Sequence, residues 1–118
     1  MKVMMLIFES EEDFRHRRRE GADAESYWTA WAAYMETVSE KLVGGSGLGG
    51  DDTATTVRVR DGARQIQDGP FADSKESLGG YMVFEVDTFD EAMALGAACP
   101  AASTGAVELR PLLEMPEE

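Results

Sequence analysis

Between Lys2 and Phe8 the chain reads KVMMLIF, an extended pattern with apolar residues on both faces. Val3, Met5 and Ile7 fall on one side, Met4, Leu6 and Phe8 on the other. Such a strand suits the middle of a sheet that is covered twice. Ser10 followed by Asp13 fits a helix start and Gly21 a stop, predicting a short exposed helix over 11–20. A longer helix is predicted from Asp23 or Ala24 to Val43. Tyr27, Trp31, Tyr34, Met35, Val38 and Leu42 recur there at three-to-four spacing, the stripe by which a helix packs on a core.

The run GGSGLGG (44–50) breaks that helix and holds five of the twelve glycines. It follows a helix, leads towards a strand and has no lysine, which argues against a phosphate loop. TATTVRVR (53–60) alternates as a half-buried strand, Asp61-Gly62 is a two-residue hairpin signal, and ARQIQ (63–67) is the return strand. YMVFEV (81–86) is a further strand, with Met82, Phe84 and Val86 on one face and Tyr81, Val83 and Glu85 on the other. Thr88 and Glu91 form a capping box for a helix running to Ala98, which Pro100 stops. The last strand lies near 105–113.

Two split β-α-β units in this order predict an α+β protein, a ferredoxin-like βαββαβ sandwich with an extra hairpin. One domain is expected over 1–113, followed by an acidic tail, 114–118. Two helices cover only one face of the sheet, while the strand at 2–8 is apolar on both. The open face therefore calls for a partner, and a homodimer joined sheet to sheet is expected.

Charge narrows the partners. Eleven basic against 23 acidic residues give a net charge of −12, which repels phosphate backbones and anionic membranes, so neither nucleic acid nor a membrane is an expected partner. The opening segment reads as a strand rather than a signal peptide, and a cytoplasmic location is expected. The basic cluster Arg15 to Arg19 is flanked by acids, as on a solvated helix with local ion pairs; an anionic ligand or partner is the other reading. Cys99 is the one cysteine and His16 the one histidine, so no disulfide framework is predicted and no metal is expected. Cys99 follows a helix C-terminus, where the dipole disfavours a thiolate; it reads as structural.

The stretches TATTVRVRDG, DGPFADSKESLGGYMVFEV and DEAMALGAACPAASTGAVELRPL together resemble the YCII-related family, in its DGPF-motif branch. The resemblance covers 1–8 and about 31–113. It implies a dimeric α+β barrel, an architecture shared with monooxygenases, muconolactone isomerases and dehydrochlorinases. For YCII relatives it also implies a histidine–aspartate pair in a cleft between helix and sheet. Here the corresponding early turn of the long helix reads Ser26-Tyr27-Trp28-Thr29, without a histidine; His16 lies upstream.

Asp68 is the expected catalytic carboxylate, as base or hydrogen-bond acceptor; Gly69, Pro70 and Phe71 beside it also read simply as a structured turn. The expected lining of a ligand site is Trp31, Tyr34, Arg58, Phe71, Lys75, Tyr81 and Glu85, with Arg58 and Glu85 able to pair across neighbouring strands. Lys75 also reads as a solvated charge at a loop tip, and the helix aromatics as core. The leading function is binding of a small organic molecule, with proton-transfer chemistry (isomerisation or elimination) and no organic cofactor. The alternative is a non-enzymatic sensor or regulatory module, which the resemblance associates with a sigma-factor partner.

Overall fold

The computed structural model describes residues 1–116. Its elements are β1 (Lys2–Glu9), α1 (Glu11–Arg17), α2 (Ala24–Val38), β2 (Leu42–Gly47), β3 (Thr55–Arg60), β4 (Ala63–Asp68), β5 (Ser77–Glu85), α3 (Phe89–Ala97), α4 (Ala101–Thr104) and β6 (Ala106–Pro111). Four strands form an antiparallel sheet in the order β2-β5-β1-β6, the ferredoxin-like order of two interleaved β-α-β units. The caps behave as expected. The Ser10 hydroxyl accepts from the Asp13 amide and the Thr88 hydroxyl from the Glu91 amide.

The core lies between one sheet face and the helices. Val3, Met5, Ile7, Met82, Phe84 and Val86 come from the sheet, and Tyr34, Val38, Ala92, Cys99 and Ala101 from the helical layer. The Tyr34 hydroxyl donates to the Leu95 carbonyl (2.7 Å) and so ties α2 to α3. Cys99 is buried and its thiol is pushed up to about 11, chiefly by desolvation, consistent with a structural thiol.

Two boundaries differ from expectation for one reason. The helix expected to reach Val43 stops at Val38, and the glycine run read as a break is strand β2. β2 fills the edge position beside β5 that the pattern had assigned to residues 53–60. Glycine has little strand preference of its own, so only pairing with β5 makes this segment a strand. Gly45 shows how close the approach is: a Cβ there would lie 2.5 Å from the Tyr81 carbonyl oxygen.

The displaced hairpin stands apart. Among the described residues β3 and β4 pair only with each other, through a turn in which Asp61 (φ 52°) and Gly62 (φ 76°) are both left-handed, as a type I′ turn requires. Val57, Val59 and Ile66 remain 56–60% exposed. The cross-strand pairing expected for Arg58 and Glu85 is therefore absent. Arg58 lies over the Phe71 ring (5.4 Å), whereas Glu85 meets the Met1 amino group (3.3 Å).

Candidate functional site

The alternation of β1 delivers a carboxylate where a hydrophobe is due. Glu9 follows Val3, Met5 and Ile7 on the helix-covered face and is only 3% exposed. Two helical residues reach it. Tyr27, in the first turn of α2, donates its hydroxyl to one Glu9 oxygen. Arg17, in the last turn of α1, places Nη1 3.5 Å from the other. The same guanidinium donates to the Leu48 carbonyl and stacks on Phe14 at 4.7 Å, so its direction is fixed from three sides.

Beside this triad is a cavity of about 240 Å³ between α2 and the sheet. Tyr27, Trp28, Trp31 and Met35 form its helix wall, Ile7, Leu42 and Met82 its apolar depth, and Gly45, Gly47, Gly79 and Gly80 its sheet side. The glycines make the room. A Cβ on Gly79 would come within 2.7 Å of a Glu9 carboxylate oxygen and 2.9 Å of Arg17 Nη1, and one on Gly80 within 2.9 Å of the Ser46 carbonyl. An apolar pocket with a few convergent polar groups is the usual form of a small-molecule site.

Burial drives the electrostatics. Desolvation pushes the Glu9 carboxyl above the usual carboxylate range, against the opposing pull of the Tyr27 bond and the Arg17 charge. Desolvation and the Glu9 bond push the Tyr27 phenol far up, so it stays a neutral donor. A carboxyl made more basic and a fixed donor at an enclosed face can accept and return a proton.

Of the residues expected from the sequence, Trp31 and Tyr81 border this cavity. Tyr34 lines the neighbouring one. Asp68 is exposed at the foot of the hairpin, in register with Thr55, and lines neither cavity. Phe71 is 76% exposed rather than anchored in the core, and lines a surface hollow beside the hairpin with Pro70 and Phe8. Lys75 lines another hollow, with Phe14 and Asp51. Arg58 and Glu85 border neither of the cavities along α2. Glu9, Arg17 and Tyr27 were absent from that expected set. The available signal was Glu9 itself, a charge on the core-facing parity of an apolar strand.

On the other side of Tyr27 a more open hollow of about 590 Å³ is bordered by Asp13, His16, Asp23 and Tyr34. His16 Nδ1 lies 3.8 Å from Asp13, beyond hydrogen-bond length, while Asp13 accepts the Thr104 hydroxyl. Ligand atoms of Glu12, His16 and Asp23 lie within 4.8 Å of one another, close enough to hold a metal ion. Glu12 and Asp23 are solvent-exposed, as such groups commonly are without one.

The model of the YCII-related domain matches residues 1–116. The chain belongs to the YCII-related family. An uncharacterised protein of Rhizobium meliloti (strain 1021) is 39% identical over 61 residues, 50% of this chain and 49% of the relative. The chain thus aligns with about half the length of that curated relative. Among solved structures, 5-chloro-2-hydroxyhydroquinone dehydrochlorinase (TftG) from Burkholderia phenoliruptrix AC1100, in complex with 2,5-dihydroxybenzoquinone, superimposes with a TM-score of 0.56. The match covers 98% of this YCII-related chain and 96% of TftG at 15% identity, a likeness of fold. Among the described residues, no helix is long and apolar enough to cross a membrane.

Proposed function

We propose that this YCII-related chain binds a small organic molecule in the 240 Å³ cavity and moves a proton to and from it through Glu9. The observation that carries the proposal is a desolvated carboxyl held between Tyr27 and Arg17 at the polar end of an otherwise apolar pocket. Glu9 replaces Asp68 as the base because it borders the cavity and Asp68 does not. The reaction class is isomerisation or elimination, and TftG, named as a dehydrochlorinase, lends support as a neighbour in fold.

Exchange of ring hydrogens of 2,5-dihydroxybenzoquinone with D2O, followed by NMR, tests this. Wild-type protein is expected to accelerate exchange, Glu9→Gln to lose roughly 10²-fold or more of that acceleration, and Asp68→Asn to retain it. Equal acceleration by wild type and Glu9→Gln would sink the assignment. Binding without acceleration would favour the non-enzymatic sensor, which uses the same cavity.

The proposal includes a homodimer through the open sheet face, at a cytoplasmic location. Met4, Leu6, Phe8, Tyr81 and Val83 are partly exposed there, and the hairpin valines stand in solvent. The radius of gyration is 16.3 Å, against about 13.5 Å for a compact chain of this length. Light scattering is expected to give about twice the 12.9 kDa chain mass, and Leu6→Glu to give the monomer. A wild-type monomer at tens of micromolar overturns this part.

A further inference from the structure

The more open hollow along α2 holds side chains that the proton-transfer reading leaves unused. Glu12 and His16 stand one turn apart on α1, and Asp23 is the N-cap residue of α2. Their ligand atoms lie within 4.8 Å of one another. Nearness alone says little of exposed acids, but the charges here are not balanced from within the chain. Four arginines run through the segment, yet Arg15 pairs with Glu11, Arg17 with Glu9 and Arg18 with Glu20. Among the described residues neither Glu12 nor Asp23 meets a lysine or an arginine; both converge on the single imidazole. An aspartate at an N-cap ordinarily accepts from the amides of its own first turn, and the Asp23 side chain makes no such bond.

His16 is placed as a ligand is. Its side chain is 16% exposed, and its nitrogens face two different carboxylates beyond hydrogen-bond length, Nε2 3.9 Å from Glu12 and Nδ1 3.8 Å from Asp13. A ring so held offers Nε2 to an ion beside Glu12 and directs Nδ1–H at Asp13. An outer carboxylate that fixes the ring in this way is the usual support of a metal-bound histidine. Asp13 is itself buried and held by the Thr104 hydroxyl. Bonds of about 2.0–2.2 Å to one ion bring such ligand atoms to about 3–4 Å from each other, which torsions of the exposed Glu12 and Asp23 side chains supply.

We propose that Glu12, His16 and Asp23 bind one Zn2+ ion, with Asp13 positioning the histidine and the remaining coordination open to the 590 Å³ hollow. One histidine is too few for a site of several imidazoles, and here carboxylates complete the set. A nitrogen donor beside two carboxylates suits this ion better than Mg2+ or Ca2+, which take oxygen ligands. The ion ties α1 to the start of α2, the two helices that bring Arg17 and Tyr27 to Glu9. None of its three ligands borders the 240 Å³ cavity, so the inference stands apart from the proton-transfer reading.

Calorimetric titration of the tag-free, chelator-treated chain with zinc chloride tests it. One ion per chain is expected to bind in the micromolar range, and millimolar Mg2+ or Ca2+ to leave it in place. His16→Ala is expected to lose roughly 100-fold in affinity, and Glu12→Gln and Asp23→Asn about tenfold each. Glu12 and Asp23 are exposed, so these two variants keep the fold, which circular dichroism checks. Co2+ in place of zinc is expected to show the visible absorption of a four- or five-coordinate centre, absent in His16→Ala. Asp13→Asn is expected to weaken binding about tenfold and to keep that absorption, because it removes no ligand. No binding by the wild-type chain overturns the inference. So does zinc binding that His16→Ala and Glu12→Gln leave unchanged, or that Ca2+ displaces at equal concentration, since either marks an acidic surface rather than a site.

Discussion

Arg17→Met is expected to lower the stability of the fold by about 3 kcal/mol near pH 8 and by much less near pH 5. The first figure follows from removing one partner of a buried ion pair, which leaves the Glu9 carboxylate without its countercharge. The second follows from linkage. Glu9 is already held above the usual carboxylate range, and losing the Arg17 charge raises it further. A folded carboxyl with a raised pKa binds its proton more tightly than the unfolded chain does. Its contribution is therefore fully present below the ordinary carboxylate range and is lost as pH rises through the raised value. Urea denaturation of wild type and variant at about pH 5 and pH 8 checks this. A deficit independent of pH would mean that Arg17 acts through its stem against Phe14 rather than through charge. The double variant Arg17→Met with Glu9→Gln is expected to recover most of the loss at pH 8.

Phe84→Ala is expected to cost about 3–5 kcal/mol, the range for emptying a large buried aromatic site. Phe84 is 0% exposed and sits in the middle of the sheet, opposite Val3 on one side and Leu42 on the other. Its neighbours are strands on both sides, so the hole cannot close by moving one helix. The midpoint in urea is expected to fall sharply with an unchanged slope. A loss under about 1.5 kcal/mol would show that the core is far more plastic than its packing suggests.

Local patterns made much of the architecture legible. The double-faced alternation of 2–8, the two capping boxes and the Asp-Gly turn each depend on neighbours in sequence, and each appears where expected. β2 depends on β5, some 40 residues away in the chain, and its glycines carry no periodic signal. With β2 silent in the sequence, the hairpin takes its place beside β5 in the pattern, and Arg58 then falls opposite Glu85, which the structure does not show. The site was harder. Arg17 stands in a run of basic residues, four arginines around one histidine, and only its position on the side of α1 that faces Glu9 sets it apart from its solvated neighbours. Tyr27 and Trp31 read correctly as one helix stripe, but a stripe does not reveal that Glu9 lies beneath it. The DGPF turn is conspicuous in the sequence, but Asp68 closes the hairpin in register with Thr55 and does not reach the cavity.

The bare backbone of Gly45, Gly47, Gly79 and Gly80 has a consequence for how this pocket can change. Much of the sheet wall is main chain that cannot be decorated: a Cβ on Gly45 would lie 2.5 Å from the Tyr81 carbonyl oxygen, one on Gly79 2.7 Å from a Glu9 carboxylate oxygen, and one on Gly80 2.9 Å from the Ser46 carbonyl oxygen. More room for change lies on the opposite wall, where α2 carries Trp28, Trp31 and Met35. In the proposed function, relatives sharing these glycines can differ in ligand through a handful of positions on one helix, while the carboxyl assigned the proton stays fixed on β1.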